Sequence, residues 1–239
     1  MINFKIKKQM KNLLSFLFFI SICSAVIAQS KEIIINMNHY YDGEEFIVAE
    51  YNPDESETFL VDNQSYSLNG NTPIKFFRMQ YYLHINSLSN NDGDTTYLSD
   101  TYLLVNPSQN QYNIGPFEIS DVNSLFFNIG VALEVNHNDP SLWNASHPLA
   151  PQDPSMHWGW AAGYRFVALE GMIDKNNDGI LESVVQYHPV DDSYYSEIIT
   201  CDGVVETNST ITFFIEANYD KLIENIGADQ GGVYHGVHY

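Results

Sequence analysis

The sequence predicts an all-β protein, an antiparallel β-sandwich that carries one long irregular loop rich in Trp, His and Pro. Three observations predict it. Short runs of β-branched and aromatic residues recur along the chain, turn-forming pairs such as Asp42-Gly43 and Asn69-Gly70 separate them, and helical periodicity is scarce. Many short strands joined by tight turns are typical of two packed antiparallel sheets, and a hydrophobic content of 44% is enough for a buried core.

The beginning of the chain predicts a secretory leader. Four lysines precede an apolar run over residues 13–27, and no acidic residue occurs before Glu32. This pattern predicts a signal peptide over residues 1–28 and a secreted or periplasmic β domain over residues 29–239. A lipid anchor on Cys23 is the alternative, but the bulky Ile22 precedes it where a small residue is preferred. We expect no membrane insertion after the leader is removed, since no later run is long and apolar enough.

The sequence predicts one short helical segment, several turns and eight strands. Helical periodicity is found only over residues 219–226, where two turns are expected. Further turns are predicted at residues 91–94, Asp178-Gly179 and Asp202-Gly203. The strands are predicted over residues 33–35, 46–48, 74–85, 102–105, 125–129, 164–169, 184–187 and 211–215.

The charge of the chain excludes one class of partner. The formal net charge is −20. Such a surface repels nucleic acid and anionic lipid, and it attracts cations, so no nucleic-acid partner is expected.

One stretch interrupts the β pattern and predicts an irregular functional loop. Between Val135 and Trp160 the chain gathers several prolines, three histidines and all three tryptophans. Proline-rich sequence of this kind does not form regular sheet, and long irregular loops in β domains are typical of functional sites. Its densest part runs from Met156 through His157 and Trp158 to Trp160. Imidazole and thioether groups are ligands that copper accepts, although a histidine beside aromatic residues is structural in most proteins.

Several longer segments of rare composition support a metal role. In these segments the chain resembles the MbnP-like copper-binding proteins of bacteria. That family is functionally similar to the secreted copper proteins MopE and CorA. The segments are residues 39–43, 74–83, 100–105, 128–131, 147–151, 156–166, 169–171 and 187–189.

The resemblance implies a secreted or periplasmic copper-binding protein, not an enzyme, that acts in copper acquisition or handling. It implies His39, His157 and His188 as copper ligands, and the thioether of Met156 joins this set. In some members of the family a tryptophan is oxidised to kynurenine by a partner dihaem enzyme of the MauG-like class. Candidates for that oxidation are Trp158 and Trp160. Glu170 or Glu134 would orient a ligand histidine, and the alternative ligands are His84, His137 and His147.

A second candidate site has the pattern of a calcium loop. Oxygen donors alternate and a glycine stands where such a loop turns, but position twelve is Val185 rather than Glu, and strands are predicted on both sides. A calcium-stiffened hairpin and a plain Asp-Gly turn both fit this pattern. The candidate ligands are Asp174, Asn176, Asp178, Ile180 and Glu182.

The competing function is a calcium-stabilised surface β module that binds glycan or protein through its aromatic loop. Hydrolytic catalysis has little support, because the sequence contains no Gly-x-Ser-x-Gly elbow, no His-Glu-x-x-His helix and no phosphate-binding glycine loop.

Overall fold

The computed structural model describes residues 30–51, 59–119, 121–224 and 227–235. The predicted signal peptide over residues 1–28 lies outside them and stays a prediction. The two helices of the described part are α1 (Leu133–Asn136) and α2 (Asp220–Ile223). The strands are β1 (Ser30–Tyr41), β2 (Glu44–Glu45), β3 (Tyr66–Leu68), β4 (Thr72–Ser89), β5 (Thr95–Tyr97), β6 (Tyr102–Val105), β7 (Gln111–Glu118), β8 (Ser124–Ile129), β9 (Val167–Ile173), β10 (Ser183–Tyr187), β11 (Ile199–Asp202), β12 (Val204–Glu206), β13 (Thr210–Asn218) and β14 (Gly232–Tyr234).

Within the described residues the strands form two sheets. The small sheet has the order β12-β13-β1-β2, and β7 also pairs with β1. The large sheet has the order β11-β8-β4-β9-β10-β14, and the long strand β4 also pairs with β3, β5 and β6. Most pairs are antiparallel, while β1 with β13 and β10 with β14 are parallel. The predicted all-β sandwich is confirmed, and the two parallel pairs are an addition to it.

The predicted hairpin turns form as their residues require. Asp42 and Gly43 have φ values of 50° and 81° between β1 and β2, and Asn69 and Gly70 have 49° and 75° between β3 and β4. Tight hairpin turns that match the twist of their strands need positive φ at both central residues, and Asn, Asp and Gly adopt it most easily.

Three predicted elements differ in the structure. Residues 46–48 form no strand, because Phe46 turns inward, is buried in the core and donates its N–H to the carbonyl of His39 at 2.8 Å. Of the helix predicted over residues 219–226, the structure forms α2 with Ile223 buried, and residues 225 and 226 lie outside the described part of the chain. Strand β9 begins at Val167 rather than Tyr164, because the residues before it pair in a local hairpin.

Strand β4 is buried on both faces, and this produces two separate cores. Met79 and Tyr81 belong to the first core, which lies between the sheets and includes Ile35. Arg78 and Tyr82 alternate with them and therefore face the opposite side, where Tyr82 joins a second core.

The second core is covered by an irregular segment of residues 130–166, which we call the covering loop. It contains α1 and a 3-10 turn at Pro140–Leu142, and it buries Leu149, Met156 and Tyr164 against the outer face of the large sheet. This segment includes the predicted Trp/His/Pro-rich loop. Among the described residues, no helix has both the length and the apolar character that a bilayer crossing requires.

Candidate metal centre

The end of the covering loop is a small hairpin that fixes which way Trp158 points. Arg165 donates its N–H to the carbonyl of Met156 at 2.8 Å, and Trp158 donates to the carbonyl of Gly163 at 2.9 Å. His157 and Tyr164 face each other in the bridge between these bonds. Because side chains alternate on such a ribbon, Trp158 and Arg165 share one face and His157 lies on the other.

His188 is the histidine best prepared to bind a metal. It follows β10, is 2% exposed, and shares a 3.0 Å hydrogen bond from its Nε2 to a carboxylate oxygen of Glu170. The same oxygen accepts a 2.8 Å hydrogen bond from Arg78. With the proton of a neutral imidazole held on Nε2, Nδ1 keeps a free lone pair. This atom is buried and has no hydrogen-bond partner among the described residues.

The electrostatics of this network keep the histidine neutral. Burial lowers the pKa of His188; the hydrogen bond and charge of Glu170 oppose this effect, and Arg165 and Arg78 add to it. Burial acts to raise the pKa of Glu170, but His188 and Arg78 together outweigh it, and the pKa is lowered. An ionised carboxylate that orients a neutral imidazole is the usual outer partner of a metal-binding histidine. Glu170, one of the two carboxylates suggested by sequence, occupies this position, whereas Glu134 is exposed.

Trp158 lies directly against this histidine. Its ring is edge-on to the ring of His188, with centroids 5.4 Å apart, and the guanidinium of Arg165 lies 4.4 Å from the indole centroid. His235 approaches the same indole from β14, with centroids 4.9 Å apart. Trp158 is 38% exposed, so the indole is accessible from solvent while it contacts two imidazoles.

The structure places His39 apart from this site, although the resemblance implies it as a ligand together with His157 and His188. His39 lies on the inward face of β1 together with Ile35 and Met37. Its Nδ1 shares a 2.5 Å hydrogen bond with the hydroxyl of Tyr219, which is in turn 3.5 Å from the hydroxyl of Tyr81 in the first core. The large sheet therefore separates His39 from His188.

His157 is also separate from His188, since it lies on the other face of the hairpin. Its ring contacts Tyr164, and its Nδ1 accepts the N–H of Gly159 at 3.1 Å. The proton of the neutral ring then sits on Nε2, which is buried without a hydrogen-bond partner among the described residues. This tautomer offers no lone pair to a metal unless the bond from Gly159 is given up.

Met156 and Trp160 do not complete the site either. The sulfur of Met156 accepts a 3.3 Å hydrogen bond from Arg78 inside the second core. A guanidinium beside the sulfur opposes the approach of another cation. Trp160 is 72% exposed, and its carbonyl is 2.8 Å from Nδ1 of His137.

Each alternative histidine has at least one ring nitrogen engaged in a hydrogen bond elsewhere. His84 shares a 2.6 Å hydrogen bond with a tyrosine hydroxyl, and Nδ1 of His147 accepts a backbone N–H at 3.1 Å. Both ring nitrogens of His137 face acceptors, the Trp160 carbonyl and a carboxylate oxygen of Asp192. These contacts raise the pKa of His137, the Trp160 carbonyl having the larger effect, and favour its charged form.

Sequence reasoning assigned no role at this site to Arg78 or Arg165, and it considered His235 only as part of a Gly- and His-rich tail over residues 231–239, where a weak metal site and a frayed terminus were the two alternatives. Both arginines lie in segments that the resemblance covers, but nothing local shows that one pairs with Glu170 and the other stacks on Trp158. His235 follows a short strand whose pairing partner is distant in sequence, so no local pattern places it.

The predicted calcium loop brings its three carboxylates together. Oxygens of Asp174, Asp178 and Glu182 lie within 4.8 Å of one another. Among the described residues, no other group of three or more His, Cys, Asp or Glu side chains comes this close together. Both oxygens of Asp174 accept backbone N–H groups, from Asp178 and Gly179. The loop is thus held by its own hydrogen bonds, as a plain Asp-Gly turn would be, and calcium binding stays a prediction.

Comparison with known proteins gave a family and one similar structure. A family model described as MbnP matches residues 30–236. A solved structure, MbnP from Methylosinus trichosporium, has 16% sequence identity and a TM-score of 0.41, and the match covers 73% of this chain. The chain spans 62% of the length of that protein. No curated protein matches the chain.

Proposed function

Because the chain belongs to the MbnP family, whose model matches residues 30–236, we propose that it is an exported copper-binding protein that acts in copper acquisition or handling. Membership of the family indicates a copper-related role. The proposed role is binding rather than catalysis, and the net charge of −20 favours a raised concentration of cations around the protein.

The proposal rests mainly on the buried Nδ1 nitrogen of His188. This atom has no hydrogen-bond partner among the described residues and belongs to a ring whose other nitrogen is held by Glu170. An imidazole nitrogen is a good copper ligand, and a carboxylate behind it fixes the tautomer that exposes the lone pair. His188 therefore replaces the trio of His39, His157 and His188 as the centre of the proposed site.

The proposed target of oxidation is Trp158 rather than Trp160. Trp158 contacts His188, whereas Trp160 is 72% exposed and its carbonyl faces His137. Conversion to kynurenine breaks the C2–C3 bond of the pyrrole ring and adds one oxygen atom to each carbon, a four-electron oxidation for which a partner dihaem enzyme would supply the oxidising equivalents. Water then hydrolyses the resulting formamide and releases the formyl carbon as formate. Fragment-ion mass spectrometry of the natively produced protein should place the modification on Trp158 rather than on Trp160 of the same peptide; an unaltered Trp158 would contradict the proposal.

Elemental analysis and Cu(II) titration of leaderless protein test the copper proposal. We expect His188→Gln to abolish stoichiometric binding, because the amide can still donate to Glu170 but offers no imidazole lone pair. His39→Gln and His157→Gln are matched controls, which should retain copper since neither ring is at the site. The proposal is wrong if wild-type protein binds no copper, or if His188→Gln binds it as well as the controls do.

The alternative function is the calcium-stabilised surface module, which the cluster of Asp174, Asp178 and Glu182 favours. Chelation separates the two. A protein that loses thermal stability when calcium is removed, and that is indifferent to copper, would be the module.

A further inference from the structure

Strand β14 places a second histidine beside His188. It pairs in parallel with β10, with Val185 opposite Gly232 and Tyr187 opposite Tyr234. Beyond the last of these pairs, His188 donates its N–H to the carbonyl of Tyr234 at 2.7 Å. Continuing the register by one residue sets His235 next to His188.

The two imidazoles point to the same side of the sheet. Neighbouring residues on paired strands project to the same face, and the strands lie about 4.8 Å apart. The ring contacts agree with this placement, since His188 and His235 border one indole, that of Trp158, at centroid distances of 5.4 Å and 4.9 Å. At the usual spacing of paired strands, side chains at adjacent positions on one face can reach the same ion.

We propose that His235 is a copper ligand and that β14 completes the site, an inference that rests on the proposed function of His188. Two imidazoles from separate strands suit copper better than one. The three-residue strand β14 lies at the edge of the large sheet, with Val233 53% exposed, and such edge segments open easily. An ion bound by both histidines links β14 to β10, so copper binding stabilises the pairing of these two strands.

Copper titration of the full leaderless chain tests the inference. We compare His235→Ala with His137→Ala, which removes an exposed imidazole whose nitrogens face the Trp160 carbonyl and Asp192, and with His188→Gln. The expected Cu(II) affinity falls at least about tenfold in His235→Ala and is unchanged in His137→Ala. His235 is exposed, so its replacement should leave the fold intact.

Two readouts distinguish a ligand from a neighbour that only packs on Trp158. The electron paramagnetic resonance spectrum of bound Cu(II) should show nitrogen couplings from both imidazoles in the wild type and lose one of them in His235→Ala. Hydrogen exchange of the amides of residues 232–235 should slow on adding Cu(II) in the wild type and not in His235→Ala.

The outcomes also separate this inference from the proposed function. Wild-type affinity and an unchanged spectrum in His235→Ala, together with loss of binding in His188→Gln, would overturn the role of His235 and leave the proposed function standing. Undiminished binding in His188→Gln would overturn both.

Discussion

Replacement of Glu170 by glutamine removes one charge from the network beneath the covering loop and leaves its shape nearly unchanged. The carboxylate, 11% exposed, accepts hydrogen bonds from Arg78 at 2.8 Å and His188 at 3.0 Å. Removing one partner of a buried ion pair costs about 3–5 kcal/mol. Arg78 keeps its bond to Gln80 and its contacts with loop carbonyls, so we expect the lower end, about 3 kcal/mol. In a chain of this size that lowers Tm by about 6–12 °C.

Glu170→Gln should weaken copper binding as well. The carboxylate holds the proton on Nε2 of His188, and loss of such an outer partner weakens metal binding about 10–100-fold. Denaturant unfolding of the metal-free protein measures the stability change, and Cu(II) titration measures the affinity. Glu134→Gln is the matched control, because it makes the same change at an exposed carboxylate. If the two variants agree in both measurements, the reasoning about Glu170 is wrong.

Three further changes probe other parts of the molecule. Burial lowers the pKa of His39, so the unfolded chain binds more protons than the folded one below about pH 6.5, and stability falls as the pH drops through that window. Denaturation midpoints of His39→Gln should therefore depend less on pH than those of the wild type, and an identical pH profile would contradict this. Gly163→Ala should cost about 2 kcal/mol of unfolding free energy, since φ is +76° and the new Cβ would lie 2.6 Å from Oδ1 of Asn136. Gly70→Ala has a similar φ of +75° with open space around it, so a smaller loss there isolates the steric clash, and equal losses would argue against one. Added calcium should raise the Tm of chelator-treated wild type but not of Asp174→Asn, and a wild type that does not respond would leave the loop a plain turn.

Local chemistry made part of the fold predictable. Asp42-Gly43 and Asn69-Gly70 define turns without reference to the rest of the chain, because their backbone preference is intrinsic. The strand predicted over residues 46–48 was wrong because an apolar run indicates burial but not strand pairing. Phe46 is buried without joining a sheet. The parallel pairing of β1 with β13 joins strands separated by most of the domain, and no local pattern encodes such a contact.

The candidate site was less predictable than the turns, because it is built from contacts between residues distant in sequence. The sequence suggested Glu170 or Glu134 as the outer partner of a ligand histidine, and Glu170 lies beside His188. The separation of His39 could be foreseen, because it continues the two-residue alternation of Ile33, Ile35 and Met37 and must share their buried face. His235 depended on a pairing between distant strands, and only the folded chain brings it to Trp158.

The main role of the ion pair of Arg78 and Glu170 is to position the covering loop and the ring of His188 rather than to add stability. Burying two charges costs desolvation, and well-packed apolar residues often serve stability as well or better. Here the guanidinium also donates to the carbonyls of Pro154 and Ser155, so it ties the covering loop to the sheet. The carboxylate meanwhile fixes the ring of His188. One buried pair thus sets the position of the loop that carries Trp158 relative to the imidazole it contacts, which an apolar pair of similar volume would leave undetermined.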